Sequence, residues 1–244
     1  NLRRDIGMVG LVCIMIGLNI GGSLFMLTTV AAGLTGPSLI IAQLVSAAPI
    51  LLSLPAYMAL SSALPTTCAN YQYAKLFSRP LAVAAWMVLF VAIPLGMLPL
   101  FAIATAKLIA VLVPGLAITT WAVGVMTVLF VVNLVGVRFA TQTQFVGVVI
   151  LLAALLTFII GGAPSVEPSI LAPVFAGGPL GLLGASALLY TLLAGGLFGI
   201  EMGDEVREAR SVIPRALVVS IGIVLALYIF IEIVALGTVG WQQF

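Results

Sequence analysis

The distribution of charged residues limits what this chain can fold into more than any other feature. No charge occurs between Asp5 and Lys75 or between Arg79 and Lys107, and the later charge-free tracts up to Glu201 are comparable. A charged side chain at the centre of a bilayer costs about 2.5 to 3.5 kcal/mol even on insertion scales. Each tract can hold at least one spanning helix of about 20 residues. Because 63% of the residues are hydrophobic and only 7% are charged, we predict an all-α integral membrane protein.

Turn-forming residues divide these tracts into seven predicted spans. Gly and Pro clusters mark the divisions, because they lie at membrane surfaces or in breaks lined by protein. With the N-terminus in the cytoplasm, all of the nine Lys and Arg residues except Lys107 fall on cytoplasmic segments. The positive-inside rule therefore predicts a multi-pass protein of the cell membrane with a cytoplasmic N-terminus. The spans cover approximately 7–34, 38–63, 81–113, 117–136, 139–161, 179–202 and 213–237.

The chain contains no His. This excludes His general bases, Ser-His-Asp triads and His metal sites. Cys13 in span 1 and Cys68 in a cytoplasmic loop do not suggest a disulfide framework. We therefore expect no enzyme, no metal, no cofactor and no nucleic-acid partner. The expected partners are the lipid bilayer and a small molecule, and the sequence leaves the oligomeric state open.

Two spans contain glycine-rich interruptions at corresponding positions. Span 1 carries one at residues 17–23, and span 6 carries one at residues 193–199, again about fourteen residues after the helix begins. A pair of Gly-interrupted helices is the best sequence indication of a transport site. An unwound helix frees N–H and C=O groups that hydrocarbon cannot satisfy, so each break must face a cavity, an ion or a substrate.

The two breaks together predict a site for a zwitterion. A half-helix that begins after Ser23 aims its free N–H groups and its positive dipole end at an anion such as a carboxylate. Carbonyls freed near Asn19 and from Leu193 to Gly195 can accept an ammonium group. The alternative is helix packing, because small residues four apart allow close helix contact. Gly17 with Gly21, and Gly199 with Gly203, have that spacing.

At these breaks and just after them, the chain resembles the amino acid–polyamine–organocation transporters. The segment from Asn19 to Phe25 resembles the Gly/Ser-rich motif of the family's helix 1. The segment from Asp204 to Ala216 is similar to the family's acidic pair, basic residues and Ile-Pro-Arg-Ala sequence after helix 6. The resemblance extends over essentially the whole chain.

This resemblance implies a leucine-transporter-type fold, in which helices 1–5 and 6–10 form inverted repeats. Residues 1–161 would form the first repeat, and residues 179–244 would begin a second repeat that is truncated. The resemblance places the substrate carboxylate on the N–H groups of Gly21, Gly22 and Ser23, and the amine on carbonyls near both breaks. The residues expected on the amine side are Asn19, Ile20, Leu193 and Ala194. Gly195 and Gly196, which follow Ala194, are also expected in the site.

The chain departs from the family pattern in three ways. It stops after span 7, so we expect a fragment of a longer carrier that contributes helix 8. Leu193, Gly196 and Leu197 stand where the helix 6 motif has Tyr, an aromatic residue and Glu. Leu151 stands where some proton-coupled members have a Lys in helix 5. Coupling to Na⁺, coupling to H⁺ through another group, and simple exchange all stay open.

Three residues are candidates for a gate or for proton coupling. Phe198 is the aromatic residue nearest to the missing gate position, although it faces another side of the helix. Glu201 follows the span 6 break, where it can face the cavity, cap a helix or lie in cytoplasmic water. Glu232 lies deep in span 7, where an acid is a functional candidate by default. Its alternatives are the outer interface and contacts with helices beyond this chain.

We expect a secondary transporter, a permease or an exchanger, that moves amino acids by alternating access around a midplane site. Without an assured charge or an aromatic gate in the site, neutral amino acids are favoured. The alternatives are a seven-helix receptor or sensor and a non-transporting membrane subunit. Seven-helix receptors place the N-terminus outside, and retinal proteins need a Lys in the last helix, which span 7 lacks.

Substitution of Gly22 by Val tests the carboxylate site. A branched Cβ blocks the close approach of a ligand to the backbone, so we expect the variant to lose amino acid binding while it still inserts into the membrane. Binding to the purified full-length protein is the measurement. Wild-type affinity in a correctly inserted variant would contradict the assignment.

Overall fold

The computed structural model describes residues 6–135, 137–167 and 176–239, without the side chains of residues 22, 23, 135, 137–141 and 239. This part of the chain is helical and contains no β-strand, only two isolated bridges. Short 3₁₀ turns follow α2 and α8, and a longer 3₁₀ segment, Gly195–Glu201, follows α9. The helices are α1 Met8–Asn19, α2 Gly22–Thr35, α3 Leu39–Ala63, α4 Ala69–Phe77, α5 Arg79–Trp86, α6 Ile93–Leu112, α7 Ile118–Val135, α8 Val137–Gly162, α9 Gly178–Ala194 and α10 Ala209–Val239.

Five helical stretches of the described chain are long and apolar enough to cross a membrane, whereas the sequence predicted seven spans. The difference arises because predicted span 1 is divided into α1 and α2, and α7 is short. The second half of span 1 is continuous with span 2 in one stretch of 40 residues, Leu24–Ala63. The other four stretches are Arg79–Leu112, Gln142–Ser165, Gly178–Glu201 and Ala209–Thr238, and the shorter apolar helices are Met8–Asn19 and Ile118–Leu134.

The 40-residue stretch is not a single rod. Gly36 ends α2 with φ 66°, in the left-handed region that glycine adopts without steric cost. Pro37 follows in a 3₁₀ turn, and α3 begins at Leu39. The Thr35 and Ser38 hydroxyls are buried and lie 2.6 Å apart, which satisfies polar groups at the turn.

The core lies between α1, α3, α9 and α10, which pack extensively on one another or through α2. In the stretch Ala209–Thr238, 50% of the most apolar 18-residue segment is buried. In Arg79–Leu112, only 11% of the corresponding segment is buried. The large side chains buried in this core include Leu11, Leu189 and Tyr228. The apolar faces of α5 to α7 are mostly exposed, as expected for helices in lipid.

The third predicted span changes its helical form along its length. Between α5 and α6, Met87–Ala92 forms a π-helical turn, and Pro94 is the second residue of α6 after it. The proline ring clashes with the carbonyl four residues earlier, and the wider π turn accommodates that clash. Pi-bulges of this kind are a known cause of helix bending.

One end of the bundle is closed by contacts between segments that are far apart in sequence. The Ile6 N–H donates to the Glu205 carbonyl at 3.1 Å, and the Arg207 N–H donates to the Ile6 carbonyl at 2.9 Å. The Thr67 N–H donates to the Asp204 carboxylate at 2.9 Å. We call residues 6, 66–70 and 201–207 the basal clasp. The start of α1, the end of α3 and the start of α10 therefore lie at the same end of the bundle.

At the opposite end, the start of α9 lies against the end of α2. A Cβ atom on Gly177 or on Gly181 would collide with the Leu34 carbonyl oxygen. The two glycines therefore permit a backbone approach that a side chain would block. This contact brings the segment before the second interruption against the half-helix that follows the first.

Gly181→Ala tests this contact. We expect it to destabilise the protein by about 1–3 kcal/mol, because overpacking forces the backbone to shift. Gly124→Ala in α7 is the matched control, since its Cβ meets nothing within 4 Å and replacement of a helical Gly favours the helix. Thermal unfolding of the purified full-length protein checks both variants, and equal melting temperatures would contradict the contact.

Candidate functional site

The first interruption is a two-residue break between α1 and α2. Ile20 has φ −97° and ψ 114°, and Gly21 has φ −156° and ψ −165°, so both are extended. Gly21 is the N-cap of α2 and has no side chain to accept from the first turn. The N–H groups that open α2 therefore lie at a helix N-terminus without a capping side chain, an arrangement suited to an anion.

The second interruption has a different form. Helix α9 ends at Ala194, and the chain continues directly as the 3₁₀ segment Gly195–Glu201. The sequence favoured an unwound segment near residues 193–199, whereas here the helix narrows and continues. A 3₁₀ segment inside a helix is poorer in hydrogen-bond geometry and often marks a hinge.

The two interruptions meet at Asn19. Its Oδ1 accepts a 2.7 Å hydrogen bond from the Gly196 N–H, and its Nδ2 donates to the Met15 carbonyl at 3.1 Å. Only 2% of Asn19 is exposed. In this apolar interior an unpaired N–H would be costly, so the amide both closes the end of α1 and satisfies the start of the 3₁₀ segment.

Glycine is required on the 3₁₀ segment by the closeness of α1. A Cβ on Gly195 would collide with the Leu18 carbonyl, and one on Gly196 would lie 2.5 Å from the Asn19 Nδ2. A Cβ on Gly199 would collide with the Met15 side chain. The glycine cluster of span 6 therefore serves close packing and the helix interruption together, so the two interpretations are not exclusive.

Tyr228 of α10 holds the break from a third helix. Its hydroxyl donates to the Asn19 carbonyl at 2.7 Å, and its side chain is fully buried. The sequence interpretation placed Asn19 on the amine side of the site but did not include Tyr228. The available signal was its position four residues before Glu232, which places both on one face of span 7.

The remaining predicted binding residues surround this contact. Ile20 and Leu193 are buried, whereas Gly21, Ala194 and Gly195 are partly exposed. The backbone of Gly22 and Ser23 begins α2, and the Ser23 side chain lies outside the described part of the chain. The structure thus brings the predicted carboxylate-binding and amine-binding segments to one place, with the Asn19 carbonyl already occupied by Tyr228.

Glu201 lies in the basal clasp. Its Oε1 accepts from the Asn70 backbone N–H at 3.1 Å and from the Asn70 Nδ2 at 2.6 Å. The carboxylate therefore caps the first turn of α4, where the helix dipole favours a negative charge. Burial raises the pKa of the nearby Tyr73 hydroxyl to about 12, and the Glu201 charge adds to the shift. Glu201 thus fixes α4 to the end of the 3₁₀ segment.

The other two candidates lie on different elements, Phe198 on the 3₁₀ segment and Glu232 on α10. Phe198 is half-buried on the 3₁₀ segment. Glu232 is 1% exposed, and neither carboxyl oxygen has a hydrogen-bond partner among the described residues. Across those residues, no three His, Cys, Asp or Glu side chains lie together in a group that could hold a metal ion.

A groove of about 380 Å³ lies between α8 and α10. Its lining side chains are all apolar, so it offers no partner for a carboxylate or an ammonium group. It is therefore a poor candidate for a zwitterion site compared with the two interruptions. The lining residues are Leu156, Ile159, Ile223, Ala226, Leu227 and Phe230.

Comparison with known proteins gives one family. The family model described as amino acid permease matches residues 6–244. Uncharacterized transporters of Mycobacterium bovis and of two strains of Mycobacterium tuberculosis are each 24% identical over 253 residues. Each alignment covers 99% of this chain and 54% of the relative, so the chain spans about half the length of these relatives.

Asn19→Ala tests the contact between the interruptions. The variant leaves the buried Gly196 N–H unpaired, so we expect a loss of about 1–3 kcal/mol in the free energy of unfolding. Asn133→Ala is the matched control, because the Asn133 Nδ2 also donates to the carbonyl four residues earlier, at 2.8 Å, but from an exposed side chain. We expect little change there, within about 0.5 kcal/mol. Equal losses in thermal unfolding of the two full-length variants would contradict the role of Asn19.

Proposed function

Because this chain belongs to the amino acid permease family, within the amino acid–polyamine–organocation superfamily, we propose that it forms part of a secondary transporter of amino acids. The family and the transporter-named relatives support a membrane carrier with a small-molecule substrate. The chain covers about half of those relatives, so the transport activity is proposed for the whole protein. The cycle we propose is alternating access around the two interruptions.

The observation that carries this proposal is the 2.7 Å hydrogen bond from the Gly196 N–H to the Asn19 Oδ1. It joins two helix interruptions that lie 177 residues apart in sequence. Glycine clusters used for packing alone do not require both helices to lose regular geometry at the point of contact. Interrupted helices that meet in the bundle interior provide backbone groups for a ligand in a region where intact helices provide none.

The proposed substrate orientation follows from the polarity of the two segments. The uncapped N–H groups at Gly21, Gly22 and Ser23 bind the carboxylate, because the start of α2 carries the positive end of the helix dipole. The amine takes the place of the Tyr228 hydroxyl on the Asn19 carbonyl, with the chain near Leu193 alongside. Binding would thereby release α10 from the break.

Neutral side chains suit this site best. Helices α1 and α2 carry no charged residue, and the 3₁₀ segment has none before Glu201, which is held by Asn70 in the basal clasp. A substrate with a charged side chain would find no partner among these elements, and burial of an unpaired charge is costly. Permease and exchanger modes are both compatible with this arrangement.

We propose seven crossings in a fold of two inverted repeats, with the N-terminus in the cytoplasm. An α-helix rises 1.5 Å per residue, so a stretch of 40 residues is about 60 Å long, twice the hydrocarbon thickness. The turn at Gly36 supports its division into two crossings, the first of them completed by α1. Residues 1–161 would then form one repeat, and residues from 179 onward would begin the next.

Uptake and counterflow of radiolabelled amino acids test the function. The full-length parent of this chain is reconstituted in proteoliposomes, and we expect saturable counterflow of neutral amino acids that unlabelled substrate competes away. Charged amino acids serve as the comparison set. Absence of flux with every amino acid, from correctly oriented protein, would contradict the proposal and favour a receptor or a non-transporting subunit.

A further inference from the structure

Glu232 is an acid buried by the chain itself. It is 1% exposed, so it does not reach the outer interface. Helix α10 packs on α3, α1 and α8, and these helices are apolar over most of their length. By the helical rise, Glu232 lies about 10 Å before the end of α10 at Val239 and about 34 Å from its start at Ala209. The side chain therefore lies inside the outer half of the bundle.

The carboxyl group lacks the partners that an ionised acid needs. Neither Oε1 nor Oε2 has a hydrogen-bond partner among the described residues. An isolated carboxylate in an apolar interior carries a large desolvation cost, which the group avoids by taking up a proton. An acid placed in this way is costly to keep unless the protein uses its titration.

A second buried polar group, on the helix α3 that packs against α10, also lacks a hydrogen-bond donor. Gln43 on α3 is fully buried, and its Oε1 has no partner in the described part of the chain, while its Nε2 donates to the Ser46 hydroxyl at 3.3 Å. By the helical rise, Gln43 lies about 30 Å from the end of α3, which precedes the basal clasp, and this depth is similar to that of Glu232. The Gln43 Oε1 and the Glu232 carboxyl are thus buried acceptors on two packed helices, and neither has a donor among the described residues.

The ionisable groups on the elements around α10 are few. They are Cys13 on α1, Tyr57 on α3, Tyr190 on α9, Glu201 in the 3₁₀ segment, Glu167, whose N–H donates to the Gly237 carbonyl at 2.9 Å, Arg138 at the start of α8, where its side chain is not described, and Arg210, Arg215 and Tyr228 on α10 itself. By the helical rise, Arg210 and Arg215 lie about 33 and about 26 Å from Glu232 along α10. Tyr57 and Glu201 are held in the region of Asn70. Cys13 lies on α1, before the break. Among the described side chains, none of these groups supplies Glu232 with a positive charge.

Tyr228 connects this acid to the helix break. Residues four apart lie on one face of a helix, so Tyr228 is one turn of α10 from Glu232. The Tyr228 hydroxyl donates to the Asn19 carbonyl at 2.7 Å. The same face of α10 thus carries the buried acid and the group that occupies the proposed amine position.

We propose that Glu232 is the proton-binding site of this carrier and that the Tyr228–Asn19 hydrogen bond couples its protonation to substrate binding at the break; this rests on the transport function proposed above. The carboxylate takes one proton from water on the side to which the site is open and becomes a neutral acid. It returns that proton to water on the other side. The substrate amine displaces the Tyr228 hydroxyl from Asn19 and shifts α10, which changes the surroundings of Glu232.

Infrared spectroscopy tests proton binding without requiring transport. In the full-length protein at neutral pH, we expect a protonated-carboxyl C=O band that shifts in D₂O and is lost in Glu232→Gln. Glu167→Gln is the matched control, since the Glu167 side chain is exposed, and it should retain the band. Identical spectra for the wild type and Glu232→Gln would overturn the proton site, whether or not the protein transports amino acids.

Flux in proteoliposomes tests the coupling. With the membrane potential held at zero and one proton carried per substrate, a gradient of one pH unit should support about tenfold accumulation. We expect this in the wild type and in Glu167→Gln, and a fall to about onefold in Glu232→Gln, with counterflow retained. Tenfold accumulation in Glu232→Gln would overturn the proposal, as would accumulation that follows a sodium gradient and not the pH gradient. Wild-type protein without counterflow would instead contradict the proposed function.

Tyr228→Phe tests the coupling through the Tyr228–Asn19 hydrogen bond separately from proton binding at Glu232. It removes only the hydroxyl, so we expect the infrared band to remain while pH-driven accumulation falls from about tenfold to about onefold. Counterflow should remain saturable and should half-saturate at a lower substrate concentration, because the amine then reaches the Asn19 carbonyl without displacing a hydroxyl. Full pH-driven accumulation in this variant would overturn the proposed coupling through the Tyr228–Asn19 hydrogen bond.

Discussion

The hydrogen bond between the Asn19 side chain and the Gly196 backbone is the contact on which the centre of this bundle depends. An interrupted helix in a membrane leaves polar backbone groups that lipid cannot satisfy. Here one amide side chain satisfies groups on both interrupted helices, since it accepts from Gly196 and donates to the Met15 carbonyl. Tyr228 satisfies the Asn19 carbonyl from a third helix. The two interruptions are stable because each is completed by the other and by α10.

The same contact explains why the segments next to the breaks are close-packed rather than open. Without side chains on Gly195 and Gly199, the 3₁₀ segment lies directly against α1. The basal clasp then ties this segment to Ile6 and Thr67 through Glu205 and Asp204. A movement that opened the site would have to separate α1 from the 3₁₀ segment. It would therefore strain the hydrogen bonds of the basal clasp. The site and the basal end of the bundle are thus mechanically connected through residues 195–207.

The sequence was sufficient to predict what depends on local composition. Charge-free tracts predicted long apolar helices, and the clusters around Gly21 and Gly195 predicted where two of them lose regular geometry. It could not predict contacts that depend on the relative rotation of distant helices. The hydroxyl of Tyr228 and the amide of Asn70 donate to residues that are 209 and 131 positions away in sequence. Similarly, the close contact of the 3₁₀ segment with α1 depends on how the two helices are placed, which the local sequence does not encode.

The departure of residue 196 from the family motif has a physical reason in this chain. The resemblance places an aromatic side chain at that position, over the substrate, whereas this chain has Gly196. Even a Cβ atom there would lie 2.5 Å from the Asn19 Nδ2, so an aromatic ring at 196 and the observed Asn19 rotamer exclude each other. Asn19 and Gly196 therefore form a matched pair, in which the amide occupies space that a ring would otherwise fill. The breaks of this chain are closed by a hydrogen bond, and an aromatic lid is not available at that position to close them.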